Sequence, residues 1–258
     1  MSCNHFLKEK QDFDLDAPET TLLHRDLVLK KQFLKKLYEE WYGTFIDKLN
    51  KLPEGKIIEI GAGGSFLKQL RPDVITSDIL PLPNCDMTFS AENIPFPDQS
   101  VSAIFMMDVL HHIPHAEDFF KEAQRVLVKG GMIFMIEPAD TIFSRFIYTH
   151  FHHEPFDPKV KEWSFPSSGP LSGANGALPS IIFRRDLDKF ELLFPSLKLK
   201  SIRFHTPFRY LLTGGLSYKS LVPGWSFKLV TIFEKLFTPV FPLTAMFQTI
   251  EISKSKDQ

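Results

Sequence analysis

Short continuous apolar runs alternate with helically spaced apolar sets along residues 22–138, and this alternation predicts most of the architecture. From Leu22 to Leu49, residues Leu27, Leu34, Leu37, Trp41 and Phe45 recur at intervals of three, four or seven, which keeps them on one helix face. Lys56 to Ile60 is a brief apolar run ending in Gly61-Ala-Gly-Gly64, and Phe66, Leu67 and Leu70 follow at helical spacing. That is a strand, a tight turn and a helix. Further strands are predicted at Val74 to Asp78, Ala103 to Met107 and Gly131 to Glu137. An amphipathic helix from His115 to Val128 gathers Phe119, Ala123, Val126 and Leu127 on one face. Lys129-Gly130-Gly131 reads as its stop, a cation in the last turn before a glycine pair suited to a left-handed cap.

Strands alternating with helices predict a parallel sheet covered on both faces. One crossover is short, because only seven residues separate Asp78 from the strand candidate Asp86 to Phe89, too few for a helix. After Glu137, a helix is expected over Thr141 to His153, a loop over Trp163 to Ala177 and a helix over Arg184 to Phe194. Two last strands, Lys198 to Phe204 and Phe247 to Ser253, flank about forty residues dense in Phe, Leu, Pro and Gly.

Composition narrows the class. The 258 residues are 43% hydrophobic and 24% charged, which suits a globular chain and excludes disordered, collagen-like and coiled-coil proteins. Cys3 and Cys85 cannot make a disulfide framework and suit a reducing compartment. The first residues lack an apolar secretory region, and no run reaches the roughly 18 apolar residues of a membrane span, so a cytoplasmic protein is expected. Charge is uneven: residues 57–196 carry 11 basic and 18 acidic side chains, residues 197–258 carry 9 and 3. An acidic centre argues against nucleic acid, whereas a basic tail suits an anionic acceptor or membrane surface. Phe occurs 26 times against 5 Tyr and 3 Trp, so aromatic rings here mostly lack a polar handle.

Candidate chemistry begins at the glycine turn. Gly61 and Gly63, between a strand and a helix, allow a ligand close to the backbone, and Asp78 ends the next strand with two oxygens suited to ribose hydroxyls. Together they indicate an adenosine cofactor. Phe66 stands where a nicotinamide fingerprint has Gly or Ala, Glu59 lies two residues before Gly61, and no Gly-Lys-Ser phosphate loop is present.

Glu59-x-Gly61-x-Gly63 resembles the first motif of class I S-adenosylmethionine-dependent methyltransferases. The sequences Ser90-Ala-Glu-Asn-Ile-Pro-Phe-Pro-Asp-Gln-Ser100, Phe105-Met-Met-Asp-Val-Leu-His-His-Ile113, Arg125-Val-Leu-Val-Lys-Gly-Gly-Met-Ile133 and Glu137-Pro138 continue it in the order of the small-molecule type 11 branch, over about residues 56–138. The resemblance implies a Rossmann-like doubly wound sheet, mostly parallel with an antiparallel last strand. N-terminal helices and a helical insertion before the last strand complete the expected fold. It divides the chain into an N-terminal helical segment, 1–55, and a methyltransferase domain, 56–258. The latter comprises a cofactor core, 56–138, and an acceptor and cover region, 139–258, with its insertion at 205–245.

The resemblance also implies S-adenosylmethionine as cofactor. Gly61, Ala62 and Gly63 would pass under its methionine and ribose, Glu59 would sit near its amino group, and Asp78 would bind ribose with Ile79 against adenine. Ser90 and Ala91 would meet the adenine edge, and Met107 and Asp108 the sulfonium. Ser90 replaces the family's usual Asp, and Ser65 its third glycine.

Methyl transfer from a sulfonium needs positioning and exclusion of water, and a hydroxyl acceptor must also lose a proton. His111 and His112, together with His150, His152, His153, Glu154 and Asp157, are the candidates, with His112 and His153 taken as catalytic. No metal is expected, since the spacing matches no metal signature. His24-Arg25 could cap the methionine carboxylate. The insertion reads as a helical layer over the sheet, or else as a lid that shapes an apolar acceptor pocket or touches a membrane surface. The expected function is methyl transfer to a small or lipid-linked acceptor, at a hydroxyl. C-methylation of a quinone-like acceptor, and a cofactor-binding module without activity, are the alternatives.

Overall fold

The computed structural model describes residues 14–63, 66–166 and 169–256. Cys3 and Ser65 lie outside them. Seven strands form one sheet in the order β3-β2-β1-β4-β5-β7-β6. They are β1 (Lys56–Ile60), β2 (Ile75–Asp78), β3 (Met87–Thr88), β4 (Val101–Met107), β5 (Leu127–Pro138), β6 (Leu197–His205) and β7 (Phe247–Lys254). The first five pair in parallel, and β7 lies antiparallel between β5 and β6. This is the expected mostly parallel, Rossmann-like sheet with its last strand reversed.

Why the sheet is covered on both faces is visible in β4, where all seven residues are buried. Ile104 and Met106 join Ile58, Ile60, Ile133 and Met135 in the core on one face, under helix α4 (Ala116–Val126) and its Phe119 and Phe120. Ala103, Phe105 and Met107 point the other way, toward Phe134, Ile136, Trp41 and Phe45. The period-two alternation of a strand thus feeds two cores. On the second face Phe45 lies 5.3 Å from Phe105 and 5.6 Å from Phe134, ring centroid to centroid. Each such buried ring contributes roughly 1.5–3 kcal/mol relative to exposure.

Several boundaries differ from the sequence expectation. The helix expected over 22–49 is two, α1 (Pro18–Lys30) and α2 (Gln32–Leu49), broken at Lys31, whose ψ of 90° is extended. Nothing local forces the break. The Lys31 ammonium donates instead to the carbonyls of Gly215 and Tyr218, at 2.8 and 2.5 Å, in a distant part of the chain. Helix α4 ends at Val126, before the Lys-Gly-Gly expected to stop it, because Leu127 is buried and already pairs with Val101 of β4. Gly130, at φ +81°, instead lies in β5 where the register with β4 shifts, between the Val101–Leu127 and Ala103–Met132 pairs.

Beyond the short helix α3 (Phe66–Leu70), no helix joins β2 to β3, and β3 is two residues long. After β5 come α5 (Ile142–Phe151), the short turn α6 (Leu178–Ser180), a π-helical stretch Ile181–Arg185, and α7 (Leu187–Leu193). Helical structure therefore starts at 178, ahead of the expected Arg184. Before β7 lie α8 (Arg209–Thr213), α9 (Phe227–Lys235) and α10 (Phe241–Thr244). These pack on the N-terminal helices as well as over the sheet: Phe227 meets Phe33 edge to face at 5.0 Å. A buried ion pair, Arg209 Nε to Glu234 Oε1 at 2.7 Å, joins α8 to α9.

Candidate active site

The carboxyl edge of the parallel strands collects the site. After β1, Gly61 turns the chain at φ +66°, and a Cβ there would lie 2.4 Å from a Val109 methyl, so only glycine fits. Gly61→Ala should lower affinity for S-adenosylhomocysteine at least about tenfold, and Val109→Ala should restore only part, since the left-handed backbone remains strained by ~1–2 kcal/mol. Full rescue, or no loss, in calorimetric titrations would refute this account of the turn. Ala62 N donates to Ser77 O at 2.8 Å and Gly63 N to Asp78 Oδ2 at 3.0 Å, which ties the turn to β2. The other Asp78 oxygen accepts from Leu80 N at 3.0 Å. Burial raises its pKa, against the pull of these backbone donors.

Glu59 is the buried floor of the turn. Its Oε1 accepts from the Tyr42 hydroxyl at 2.8 Å, while Oε2 has no hydrogen-bond partner within the described protein. Burial pushes its pKa up to about 8, partly offset by the Tyr42 bond. Thr21 Oγ1 and Arg25 Nε, one turn apart on α1, are likewise buried without a partner. The Thr21 methyl comes within 3.4 Å of the position a Gly63 Cβ would take. The orphaned polar atoms on both sides of the turn fit a charged, zwitterionic group lying against it. Ile79, 52% exposed, presents an open apolar surface beside Asp78, and Ala91 is buried. The Ser90 hydroxyl accepts from Glu92 N at 3.1 Å, a local turn.

Asp108, at the end of β4, is held at φ +55°, a left-handed conformation uncommon outside glycine and characteristic of functional sites. Desolvation drives its pKa up to about 8, with His111 opposing. The next turn carries His111 and His112. His111 Nδ1 lies 2.7 Å from Glu137 Oε2, and Glu137 Oε1 accepts from Val109 N and Leu110 N at 3.0 and 2.7 Å. Burial opposes a charge on His111, yet its hydrogen bond to Glu137 and the nearby Glu154 carboxylate raise its pKa to about 10. His112 Nδ1 donates to Gly173 O at 3.1 Å, and burial with the His111 charge lowers its pKa to about 4.

The two histidine clusters singled out in the sequence meet at one carboxylate. Around Glu154 stand His111 Nε2 at 3.5 Å, His152 Nδ1 at 3.6 Å, and His112 Nε2 and His153 Nε2 each at 3.7 Å. Glu154 is half-buried, which raises its pKa, but the histidines hold it below the usual carboxylate range. His150 bonds only its own helix, at Phe146 O, and Asp157 accepts from Lys159 N. Neither joins the cluster.

A cavity of about 1380 Å³ links Asp108 to this cluster. Its walls come from α1 (Leu23, His24, Leu27), α5 (Ile147, Tyr148, Phe151) and the insertion (Tyr210 to Tyr218), so the insertion is both layer and wall. Tyr38, Tyr42, Tyr148, Tyr210 and Glu137 are site residues that the sequence reading assigned no role. A signal existed. The chain has only five tyrosines, and Tyr38, Tyr148, Tyr210 and Tyr218 all line the cavity while Tyr42 holds Glu59.

The family model described as a methyltransferase domain, type 11, matches residues 58–135. A ubiquinone/menaquinone biosynthesis C-methyltransferase of Pseudomonas fluorescens (strain SBW25) is 27% identical over 114 residues, 42% of this chain. The aligned stretch spans 44% of that relative's length. Among solved structures, an S-adenosylmethionine-dependent methyltransferase of Thermotoga maritima, described as a possible histamine N-methyltransferase, aligns with a TM-score of 0.51 at 16% identity. That alignment covers 92% of this chain and 94% of the other. Geranyl diphosphate C-methyltransferase of Streptomyces coelicolor A3(2), solved with S-adenosyl-L-homocysteine, aligns at 0.48 and 16% identity over 98% and 93%.

Proposed function

Because the chain carries an S-adenosylmethionine-dependent methyltransferase domain on a class I fold, we propose that it methylates a hydroxyl of a large, mostly apolar acceptor, lipid-linked or of similar bulk. The observation that carries this reading is the single cavity that joins Asp108 to the His–Glu cluster. At about 1380 Å³ it exceeds the roughly 300–1,000 Å³ of ordinary small-molecule sites, leaving room for an acceptor beside the methionine end of the cofactor.

S-adenosylmethionine supplies a methyl group already activated on a sulfonium. The protein's work is therefore to hold two reactants in line and keep water out. Glu59, Gly61, Ala62 and Gly63 receive the methionine part, with Arg25 from α1 at its carboxylate. Asp78 holds the ribose, Ile79, Ser90 and Ala91 border the adenine, and Met107 and Asp108 flank the sulfonium. Tyr38, Tyr148 and Phe156 give the acceptor an aromatic wall. Its hydroxyl lies against His112, whose Nε2 is left free by the Nδ1 bond to Gly173. His153, half exposed at the rim of the same cluster, leads the released proton to solvent.

A surface next to the cavity supports a lipid-linked acceptor. Phe146 and Phe151 of α5 and Trp225, Leu229, Ile232, Phe233 and Leu236 of the insertion are all exposed. Lys219, Lys228 and Lys235 are exposed among them, and the one acid of that stretch, Glu234, is buried against Arg209. Apolar side chains, an interfacial Trp and unopposed lysines suit the headgroup region of an anionic bilayer. Among the described residues no helix is long and apolar enough to cross a membrane.

The test is transfer of labelled methyl to vesicle-borne long-chain alcohols and phenols, with the product's methyl located by NMR. An O-methyl ether, reduced about 100-fold or more by His112→Ala, is expected; label reaching only amines would end the reading. The quinone-pathway relative favours one competitor, methylation at a ring carbon of a quinol, which the same spectrum would show as an aryl methyl.

A further inference from the structure

The spacing within the Glu154 cluster is not that of a hydrogen-bonded network. Charge-assisted N–H···O bonds run about 2.7–2.9 Å, whereas His111 Nε2 and His112 Nε2 stand 3.5 and 3.7 Å from the two Glu154 oxygens. Those separations lie near the ~3.4 Å edge of a tetrahedron whose metal–ligand bonds are ~2.1 Å. The facing atoms of His111, His112 and Glu154 all fall within 4.8 Å of one another.

The second partners of both rings point the same way. His111 Nδ1 is tied to Glu137 Oε2 at 2.7 Å and His112 Nδ1 to Gly173 O at 3.1 Å. Each bond occupies Nδ1 and leaves Nε2 facing Glu154, so that a cation could displace the His111 Nε2 proton and bind there. A carboxylate or carbonyl behind each imidazole is the usual support of a metal-bound histidine. Glu137 is itself anchored by the Val109 and Leu110 amides, so the His111 ring is held firmly.

We propose that His111 Nε2, His112 Nε2 and the Glu154 carboxylate hold one divalent cation of the zinc class, with a coordination position open to the cavity. Two imidazoles and a carboxylate form a donor set that suits such ions and leaves room for a further ligand. That ligand is an oxygen of the acceptor, whose proton the cation makes easier to lose; with His112 then a ligand, the proton passes to His153 at the rim of the cluster, and direct proton removal by His112 belongs to the metal-free site. This last contribution rests on the methyl-transfer reading; the binding of the cation does not. No metal signature is visible in the sequence because the ligands arrive from two segments more than forty residues apart, after β4 and after α5.

The experiment titrates the chelator-stripped full chain with Co(II), followed by visible absorption, alongside calorimetry with S-adenosylhomocysteine. One equivalent of cobalt should develop a ligand-field spectrum of low coordination number and be displaced by Zn(II). Glu154→Gln and His112→Ala should each weaken binding at least about tenfold, with His115→Ala, outside the cluster, unchanged. No spectrum, or one indifferent to both substitutions, overturns the proposal. Retained homocysteine-cofactor binding certifies that each variant folds. Where one does not, X-ray absorption on the zinc-loaded wild-type chain decides: two imidazoles with oxygen ligands support the site, and an all-oxygen shell overturns it. Cobalt binding without cofactor binding would sink the methyl-transfer reading alone, and the reverse pattern the metal alone.

Discussion

Asp78→Ala should weaken S-adenosylhomocysteine at least about 100-fold in calorimetry, close to 2.7 kcal/mol. Each bond from a ribose hydroxyl to a carboxylate is worth about 1.5–3 kcal/mol, and in the proposed site Asp78 would offer one oxygen to each hydroxyl. It has a second task. Its oxygens already accept from Gly63 and Leu80 amides, holding the glycine turn in shape before any ligand arrives. A carboxylate oxygen has two lone-pair directions, so these bonds and those to ribose coexist. Asp78→Asn retains one acceptor and should fall between the two. Unchanged affinity in the alanine variant would remove the ribose assignment and, with it, the cofactor geometry along β2.

Vesicle binding is the second large effect. Trp225→Glu with Phe233→Glu should cut co-sedimentation with anionic liposomes at low salt by at least about tenfold. Raising ionic strength should weaken the wild type as well, because exposed lysines act over roughly a Debye length. Both substituted side chains are more than half exposed, so folding and cofactor affinity should be untouched. Wild-type protein that stays in the supernatant, or a double variant that sediments as well as wild type, would leave the exposed apolar face without a bilayer to meet.

The cofactor core was legible because its chemistry is local. Asp78 ends a strand and Gly61 and Asp108 directly follow one, and the strand endings are written within a few residues. The resemblance to type 11 methyltransferases covered the same stretch that the family model matches. The rest depended on contacts between distant segments. Nothing near Lys31 marks a helix break, since its carbonyl partners are over 180 residues away. Lys129-Gly130-Gly131 looks like a helix cap, but the burial of Leu127 in the sheet decided the boundary first. The two histidine groups were each visible, whereas their convergence on Glu154 required the turn after β4 and the segment after α5 to meet. Tyr38 and Tyr42 were hidden for a different reason, because they sit on a helix face whose period signals only packing.

The short connection between β2 and β3 has a kinetic meaning. Among the described residues no helix covers the edge proposed for the adenine, and Ile79 stands more than half exposed there, at the β2 side of the strand edge. The acceptor end, toward β5, is roofed by α1, α5 and the insertion. On the proposed reading, spent cofactor and methylated product would have different exits, one into water and one along the apolar face. A molecule resting on a bilayer would then exchange its nucleoside from above without lifting off, and successive turnovers would need no new landing.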